Sequence, residues 1–444
     1  MIVKQLYRPL TIGMLLALAG AGQAQASGFA LIETNASGQG NAYAGAAANT
    51  NDASTIFFNP AGLMRLQDDH VVVAGHLIIP DSSFTNNGST NATTAGGGAI
   101  GGANDDGGFN ALVPNFYLVK TIDDSMKVGF GLNSPFGLAT KYSDDWVGRY
   151  HAVVSDLKII NMNPSIGYRV NDRLTVGAGL DLMIADVTLS SAIDFAALLG
   201  QPPGSGDGFV ELTGDNFSDP GYGLNFGLQY AISEKTTLGV AYRSEVDIDV
   251  EGDADFTVPA SAALLVATGR FIDTGLKAGI SLPASFSLSV AHAMDKITYL
   301  ADVTWTGWSS FEELRIKFDN PSQPDGVTTE SWDDTLRYSI GVDYQYTDNI
   351  VLRSGLAFDE TPVPDAAHRT PRLPGNDRTW LSFGASYVMD ETLSFDVGYS
   401  HLFISDSKID NQVESNSSDN VKANLVGSYE GSVDILSVQL NWKY

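Results

Sequence analysis

The six histidines are the residues of this chain most able to do acid–base or nucleophilic chemistry. They are His70, His76, His151, His292, His368 and His401. Only His401 lies in a suggestive setting, with the serine hydroxyl groups of Ser400 and Ser405 close by. A nucleophile must reach its base from the same strand face, but the residue two positions beyond His401 is Phe403. His401 also shares the parity of an apolar strand face, so we predict that the chain is not an enzyme. An outer-membrane lipolytic enzyme stays as a remote alternative.

Metal, cofactor and nucleic-acid chemistry are also not indicated. No two histidines share a strand face with a carboxylate at ligand spacing, apart from the weak pair His70 and His76. The glycine-rich stretch 96–108 follows no parallel strand and is typical of a flexible outer loop. The chain has no cysteine, and 52 acidic residues against 25 basic ones make nucleic acid a poor partner. We predict no metal site and no cofactor.

The elements that carry these residues are strands joined by short polar turns. Such a turn recurs six times between two alternating segments. The turns are Asp123-Asp124, Asn171-Asp172, Ser233-Glu234, Asp295-Lys296, Asp348-Asn349 and Asp390-Glu391. Short turns on one side and long loops on the other are typical of an up-and-down antiparallel barrel in an outer membrane. The pattern predicts an all-β transmembrane barrel of fourteen strands.

The last segment indicates which face meets lipid. Apolar or aromatic residues alternate with polar ones from Leu436 to Tyr444. This alternation predicts an apolar face toward lipid and a polar face toward the lumen. Ending on an aromatic residue is typical of outer-membrane barrels, whose last strand pairs with the first. We therefore expect membrane lipid and lipopolysaccharide as surroundings, the barrel-assembly machinery as a partner through Tyr444, and a monomer.

The first residues indicate an export route. Lys4 and Arg8 precede an apolar run, and Ala24-Gln25-Ala26 supplies small residues for cleavage. We predict a signal peptide over residues 1–26, a mature chain beginning at Ser27, and a location in the outer membrane of a Gram-negative cell. No other stretch approaches the roughly 20 apolar residues that a spanning helix needs.

Residues 27–69 do not show strand periodicity, and they precede the barrel that we expect over residues 70–444. Small residues dominate the stretch 37–48, which favours close packing. A fourteen-stranded barrel encloses an aqueous lumen unless something fills it. We predict that residues 27–69 form a plug, called the hatch below. This plug argues against a nonspecific porin, which needs an open lumen.

Several motifs, in order along nearly the whole chain, resemble those of the long-chain fatty acid transporters of the FadL and TodX type. They are residues 27–33, the Gly-x-Gly-x-Ala-Tyr-x-Gly pattern of 38–45, Asn59-Pro60-Ala61, 113–115, 136–140, 242–246, Trp305 with Trp308 and Phe311, 359–364, and 377–382. The resemblance implies passive uptake of hydrophobic molecules through a hatch-gated barrel, with lateral release at a kinked strand. Long-chain fatty acids are the expected cargo, and aromatic hydrocarbons or alkanes are the alternative.

For capture, we expect two apolar loop segments to form the outer binding surface, because exposed apolar clusters mark interaction sites. A lid without a ligand role is the alternative. The residues expected at the ligand are Leu198 and Leu199 in the first segment, Leu264 and Leu265 in the second, and Phe29 and Leu31 of the hatch.

For release, Pro135 interrupts a strand that otherwise runs on from Met126, and Gly137 lets the backbone bend. The resemblance implies that this kinked strand, with Phe136, contacts the Asn59-Pro60-Ala61 segment. We expect the Asn59 side chain to bond the unpaired backbone. Alternatively, Pro135 begins the loop above the membrane.

For the acid head group, Arg315 stands where the family pattern offers a lysine, and pairing with Glu312 is the other interpretation. A buried carboxylate needs such a partner. The second basic residue of the family falls among Leu189, Ser190 and Ser191, none of which is charged. The sequence therefore leaves open whether the cargo is an acid or a neutral hydrocarbon.

Overall fold

The computed structural model describes residues 28–91, 98–411 and 422–444, so the predicted signal peptide and Ser27 lie outside the described residues. These described residues contain twenty strands, four short α-helices and three 3-10 helices. The strands are β1 His70–Asn86, β2 Ala111–Asp123, β3 Met126–Lys141, β4 Val154–Arg169, β5 Leu174–Asp194, β6 Asp207–Asp215, β7 Gly221–Ser233, β8 Thr236–Arg243, β9 Val246–Thr257, β10 Thr274–Leu282, β11 Ser285–Met294, β12 Ile297–Thr306, β13 Glu313–Phe318, β14 Gly326–Thr329, β15 Thr335–Thr347, β16 Ile350–Asp359, β17 Arg378–Val388, β18 Leu393–Ile404, β19 Ser407–Asp410 and β20 Val426–Lys443.

These strands form a closed antiparallel barrel. The first strand, β1, pairs with β2 on one side and with β20 on the other, from His70 opposite Lys443 to Asn86 opposite Gly427. Two of the fourteen barrel strands are each interrupted and therefore counted as two, β8 with β9 and β10 with β11. Four further strands, β6, β13, β14 and β19, lengthen the sheet at the loop end. The prediction of a fourteen-stranded barrel with an N-terminal segment inside it is confirmed. All six polar turns join consecutive strands.

The outward face of the barrel is apolar and its inward face is polar. Along β20, Val438 is 64% exposed, whereas Ser437 and Gln439 beside it are each 3% exposed. The same alternation runs along β18, where Phe395, Val397 and Tyr399 lie on the exposed face. Among the described residues, no helix is long and apolar enough to cross a membrane.

A row of carboxylates shows where one side of the wall leaves the membrane. Five of the six outward positions of β9 are acidic and exposed, namely Asp247, Asp249, Glu251, Asp253 and Asp255, and the sixth is Thr257. In β8, by contrast, the outward residue nearest this row is Tyr242. Because charged side chains on a lipid-facing surface are destabilising, β9 stands above the hydrocarbon region. The long loops are therefore at the extracellular end.

The hatch lies inside the barrel. It contains the helices α1 (Ala36–Gln39) and α2 (Thr55–Phe58) and the 3-10 helix η1 (Pro60–Arg65). Polar side chains of the wall hold it on one side: Gln439 Oε1 accepts a 2.9 Å hydrogen bond from the Ala36 amide. Asp343 accepts one of 2.9 Å from the Asn41 side chain.

Glycines of the wall let the backbone of the hatch approach the sheet. At nine of these glycines, an added methyl group would meet an atom of the hatch within 3.0 Å. Several are paired with one another across neighbouring strands, such as Gly341 with Gly355 and Gly384 with Gly398. We call these residues the glycine belt. They are Gly129, Gly167, Gly177, Gly227, Gly239, Gly341, Gly355, Gly384 and Gly398.

We predict that Gly355→Ala loosens the hatch, because the added methyl group would overlap the Asn41 carbonyl. Overpacking of this kind costs roughly 1–3 kcal/mol. Conductance of the purified protein in planar lipid bilayers should rise above that of the unaltered protein, because water and ions then pass around the hatch.

The matched control is Gly75→Ala in β1, where a methyl group would have no atom within 4 Å. Its conductance should equal that of the unaltered protein. If both variants had the same conductance, the close contact between the glycine belt and the hatch backbone would not be what holds the hatch in place.

Candidate functional site

The barrel wall has a gap between β2 and β3. The two strands pair only from Asp123 opposite Met126 to Phe116 opposite Leu132. Beyond Leu132, β3 remains paired with β4 on its other edge but has no further partner in β2. Its next contact on that side is the isolated bridge of Thr140 with Gly108, which precedes β2. The register with β4 shifts between Asn133 and Phe136, at Pro135, as expected for a residue without a backbone N–H group.

The N-terminal residues of the hatch fill this gap as an extra strand. The Leu31 amide donates to the Pro135 carbonyl at 2.8 Å, and the Gly137 amide donates to the Phe29 carbonyl at 2.7 Å. On the β2 side, Asn115 Nδ2 donates to the Glu33 carbonyl at 3.0 Å. Residues 29–33 therefore connect both edges of the gap.

Phe29 anchors this extra strand in an aromatic cluster. Its side chain is 3% exposed. Its ring centroid lies 4.9 Å from Trp308, 5.6 Å from Phe311, 5.8 Å from Trp332 and 5.9 Å from Phe136. The preceding residue, Gly28, has φ +56° and packs so closely against the two tryptophans that a side chain would overlap them.

Above Phe29 lies a cavity with almost only apolar walls, which we call the inner pocket. Its side chains come from β3, β4, β5, β6, β9, β10 and β13, from the hatch and from loops. They include Phe29, Leu138, Leu157, Val187, Leu189, Leu212, Val250, Leu276, Ile280, Phe311, Leu314, Ile316 and Leu373, with Thr213, Glu330 and Arg372 as polar neighbours. A narrow apolar cavity that ends at a few polar groups suits a long molecule with one polar end.

A second cavity, the outer pocket, continues from the inner one toward the extracellular side. The two share Leu189, Leu212, Leu314, Ile316 and Arg372 in their walls. The outer pocket also contains Arg270 and Lys422, and with Arg372 these three cations outnumber its two carboxylates, Asp194 and Asp325, on a protein with a net charge of −27. His151 adds no charge there at neutral pH, because burial lowers its pKa to about 3.

The two loop segments predicted for capture form a single cluster beside the outer pocket. Leu198 lines the pocket, and Leu199 and Leu265 pack with it against buried aromatic residues, whereas Leu264 points away and is 77% exposed. The short helices α3 (Phe195–Leu198) and α4 (Ala263–Val266) lie in these segments. The buried centre is Phe195, Ala262 and Phe271.

Below Phe29 lies a third cavity, the lower chamber. Leu31, predicted at the ligand together with Phe29, lines this chamber rather than the inner pocket. Pro135 and Phe136 of the gap also line it. The aromatic cluster around Phe29 therefore stands between the inner pocket and the chamber at the gap.

The structure contradicts the prediction for Arg315. Its side chain lies on the outer side of β13 and is 39% exposed, while its neighbours Leu314 and Ile316 face the inner pocket. Arg315 pairs with Glu313 at 2.6 Å and with Asp325 at 3.2 Å, not with Glu312. Strand alternation is the reason, because it turns every second side chain of β13 away from the pocket.

Arg372 reaches the position that the sequence left without a cation. It lies in the loop between β16 and β17 and donates to the Val154 carbonyl at 3.0 Å, Ser155 Oγ at 2.8 Å and the Ser190 carbonyl at 3.4 Å. Burial lowers its pKa to about 10, and the charge of Glu330 opposes this, so the side chain is a cation at neutral pH. No local signal in the sequence distinguishes it from other loop arginines.

The predicted contact between Asn59 and the kinked strand is also wrong. Asn59 Nδ2 lies within hydrogen-bonding distance of three carbonyls, those of Ala47 at 2.7 Å, Leu228 at 3.1 Å and Val240 at 3.2 Å. Pro60 and Ala61 pack against Gly177 of β5. Two belt glycines, Gly177 and Gly227, draw this segment to β5 and β7, and the backbone of residues 29–31 takes its place at the kink.

His401, the histidine with neighbouring hydroxyl groups, faces outward as its parity predicts. Its Nδ1 lies 2.8 Å from Asp434, which also accepts a 2.7 Å hydrogen bond from the Tyr399 hydroxyl. Ser400, by contrast, is fully buried on the inward face and bonds Ser382 at 2.7 Å. The two residues therefore cannot form a nucleophile–base pair.

The chain is similar to known outer-membrane transport proteins. Residues 17–444 match the family model described as "Outer membrane protein transport protein (OMPP1/FadL/TodX)". The 47 kDa outer membrane protein of Pasteurella multocida is 34% identical over 409 residues, which are 86% of this chain and 88% of that protein. The long-chain fatty acid transport protein of Salmonella typhi is 31% identical over 404 residues, again 86% and 88%. A solved FadL homologue from Pseudomonas aeruginosa superimposes with a TM-score of 0.85 at 24% identity, over 95% of this chain and all of that one.

We predict that joining the hatch strand to the kink by a disulfide blocks transport. Ala30 and Phe136 form a non-hydrogen-bonded antiparallel pair, flanked by the two backbone bonds described above. Such pairs have Cα atoms about 4.5 Å apart, within the range that disulfides accept. In the oxidised A30C/F136C variant, uptake of a hydrophobic cargo should fall to background.

Because the chain has no cysteine of its own, the same variant after reduction is the control. Reduction should restore uptake to the level of the F136C single variant. Full uptake in the oxidised form would show that the hatch strand stays in place during transport.

Proposed function

The chain belongs to the outer membrane protein transport family OMPP1/FadL/TodX, and on that basis we propose that its cargo is a long-chain fatty acid, taken up by passive diffusion and released laterally through the gap at β3. Members of this family are outer-membrane transporters of hydrophobic compounds and not enzymes. The proposal concerns the cargo, the residues that bind it and the route.

The observation that carries the proposal is the position of Arg372 at the junction of the two pockets. The inner pocket offers an apolar wall for an alkyl chain, and Arg372 offers a cation at its extracellular end. The protein groups that accept its hydrogen bonds are neutral oxygens of Val154, Ser155 and Ser190. A neutral hydrocarbon would add nothing to the partial balance that Glu330 gives this half-buried guanidinium, whereas a carboxylate would form a charge-assisted hydrogen bond.

The orientation of the acid follows from the same geometry. With its carboxylate at Arg372, the alkyl chain extends away from the extracellular side along Leu189, Leu212 and Val250 toward Phe29. The acid therefore enters the inner pocket tail first. The end of the tail then touches the residue that holds the extra strand in the gap.

Capture uses the outer pocket and its neighbouring cluster. The apolar side chains of Leu198 and Phe271 can hold the tail, while Arg270, Lys422 and Arg372 together outweigh Asp194 and Asp325 and favour an anion over a neutral molecule. The acidic rest of the surface repels anions, so the local cations give the approaching carboxylate a preferred point of contact.

Release needs no energy source beyond the concentration gradient. When residues 29–31 leave β3, the edge between Asn133 and Ala139 opens directly to lipid. The glycine belt holds the rest of the hatch against the wall, which leaves no wide passage straight through the lumen. Asn59, Pro60 and Ala61 contribute to gating because they keep this part of the hatch fixed to the wall while residues 29–31 move.

We predict that Arg372→Gln weakens binding of oleate to the purified protein about tenfold, since a charge-assisted hydrogen bond contributes about 1.5–3 kcal/mol. Displacement of a fluorescent fatty acid by oleate and by methyl oleate measures the effect. The affinity for methyl oleate should change by less than about twofold, because the ester carries no charge.

Arg315→Gln is the matched control, because Arg315 is bonded to Glu313 and Asp325 outside the pocket. Its affinity for oleate should equal that of the unaltered protein. If Arg372→Gln weakens the ester and the acid alike, or neither, then the head group is not bound at Arg372 and a neutral hydrocarbon becomes the better candidate.

A further inference from the structure

The lower chamber has a polar side that the proposed route does not yet use. The chamber has a volume of about 150 Å³, similar to a cavity that holds one benzene molecule. Hatch residues such as Leu31 and Phe58 form its apolar side, while Arg243, Asp302, Arg337 and others from the wall form its polar side. The space suits one end of a fatty acid, not the whole molecule.

Arg337 is a buried cation with unused hydrogen-bonding capacity. Its side chain lies over the Trp380 ring at 5.2 Å and donates to the Ala42 carbonyl at 2.9 Å. The residue is 7% exposed and its Nε has no hydrogen-bond partner. Asp359 lies directly opposite Arg337 in the register of β15 with β16, and the charges of Asp302 and Glu33 also act on Arg337, so its positive charge is partly balanced.

A second unused donor lies in the same chamber. Trp308 is fully buried, lines the chamber, and its indole Nε1 has no hydrogen-bond partner. A buried N–H group without an acceptor costs about 1–3 kcal/mol, so an acceptor that enters the chamber is stabilised there.

The other charged groups of the chamber are already engaged. Arg243 is paired with Asp181, and Asp302 accepts hydrogen bonds from Ser289 and Thr304. Asp359 also lines the chamber and weakens the binding of any anion. An anion is therefore held by Arg337 and Trp308, and it is held loosely.

We propose that the lower chamber is a second head-group site, which receives a carboxylate through Arg337 and Trp308 after Phe29 has moved. The inference rests on the proposed function for the identity of the cargo. Pro135 and Phe136 line the chamber, so its occupant lies next to the open edge of β3. The tail leaves through the gap first, and the carboxylate waits in the chamber.

The physical reason for such a site is the cost of moving a bare carboxylate. Between Arg372 and the membrane surface the head group must pass the aromatic cluster around Phe29, where it finds no charged partner. Burial of an unpaired carboxylate is expensive. A loose cation site on the far side lowers that barrier without trapping the acid.

A purely structural role for Arg337 is the competing explanation, because its bond to Ala42 supports a turn in which Ala42 and Tyr43 both have positive φ. Two variants separate the roles. Arg337→Gln removes the charge but keeps an N–H donor for Ala42, and Trp308→Phe removes only the indole N–H while keeping a ring beside Phe29.

Uptake of oleate and of methyl oleate into liposomes containing the purified protein gives the main result. In both variants we expect oleate uptake to fall about tenfold, because each variant removes one charge-assisted hydrogen bond to the carboxylate. In Arg337→Gln, methyl oleate uptake, equilibrium binding of oleate and bilayer conductance should stay at the level of the unaltered protein. In Trp308→Phe, which also alters the aromatic cluster around Phe29, oleate uptake should fall about tenfold relative to methyl oleate uptake in the same variant. Equal loss for acid and ester, a rise in conductance, or no loss at all overturns the inference.

An iodide soak tests the anion site without any fatty acid. Crystals soaked in sodium iodide should show an anomalous peak beside Arg337 Nε that is absent from Arg337→Gln. An empty chamber overturns the inference whatever the cargo. If instead the peak appears but Arg372→Gln binds oleate normally, the proposal of a fatty acid cargo is contradicted, whereas the anion site at Arg337 is supported.

Discussion

A backbone that crosses a membrane must pair its polar groups within the protein, because lipid offers neither donors nor acceptors. Pro135 and the register shift in β3 break this rule locally, since they leave the strand without β2 as a partner beyond Leu132. The backbone of residues 29–31 restores the pairing. The wall is thus complete only while the N-terminal strand of the hatch is in place, and the position of Phe29 and the direction of release both follow from that dependence.

The hatch has two parts that the wall holds by different means. Residues 36–66 meet glycines on many strands and polar side chains such as Gln439, so their contacts are numerous and close. Residues 29–31 are held by two backbone bonds to β3 and by the ring of Phe29. A few backbone bonds and one ring open more readily than many close contacts, so local opening at the gap costs less than movement of the whole plug.

Local patterns predicted the barrel, because they depend on neighbours in sequence. The turn Asp123-Asp124 and the alternation from Leu436 to Tyr444 needed no knowledge of distant residues. Arg372 could not be found this way, since its place beside Ser190 arises when the loop before β17 folds across the barrel to β4 and β5. Arg315 failed for a simpler reason, because the resemblance placed it near the pocket but the strand parity turned it outward.

The glycine belt contacts the hatch largely through backbone atoms. These contacts therefore depend little on which side chains the hatch carries. The belt residue Gly355, for example, faces the main chain of Asn41 and Ala42. The side chain of Leu31, which faces the lower chamber, can therefore be exchanged without moving these main-chain contacts. Such a plug acts as an interchangeable insert, and one barrel scaffold could acquire new cargo preferences by substitutions confined to a short stretch near its N-terminus.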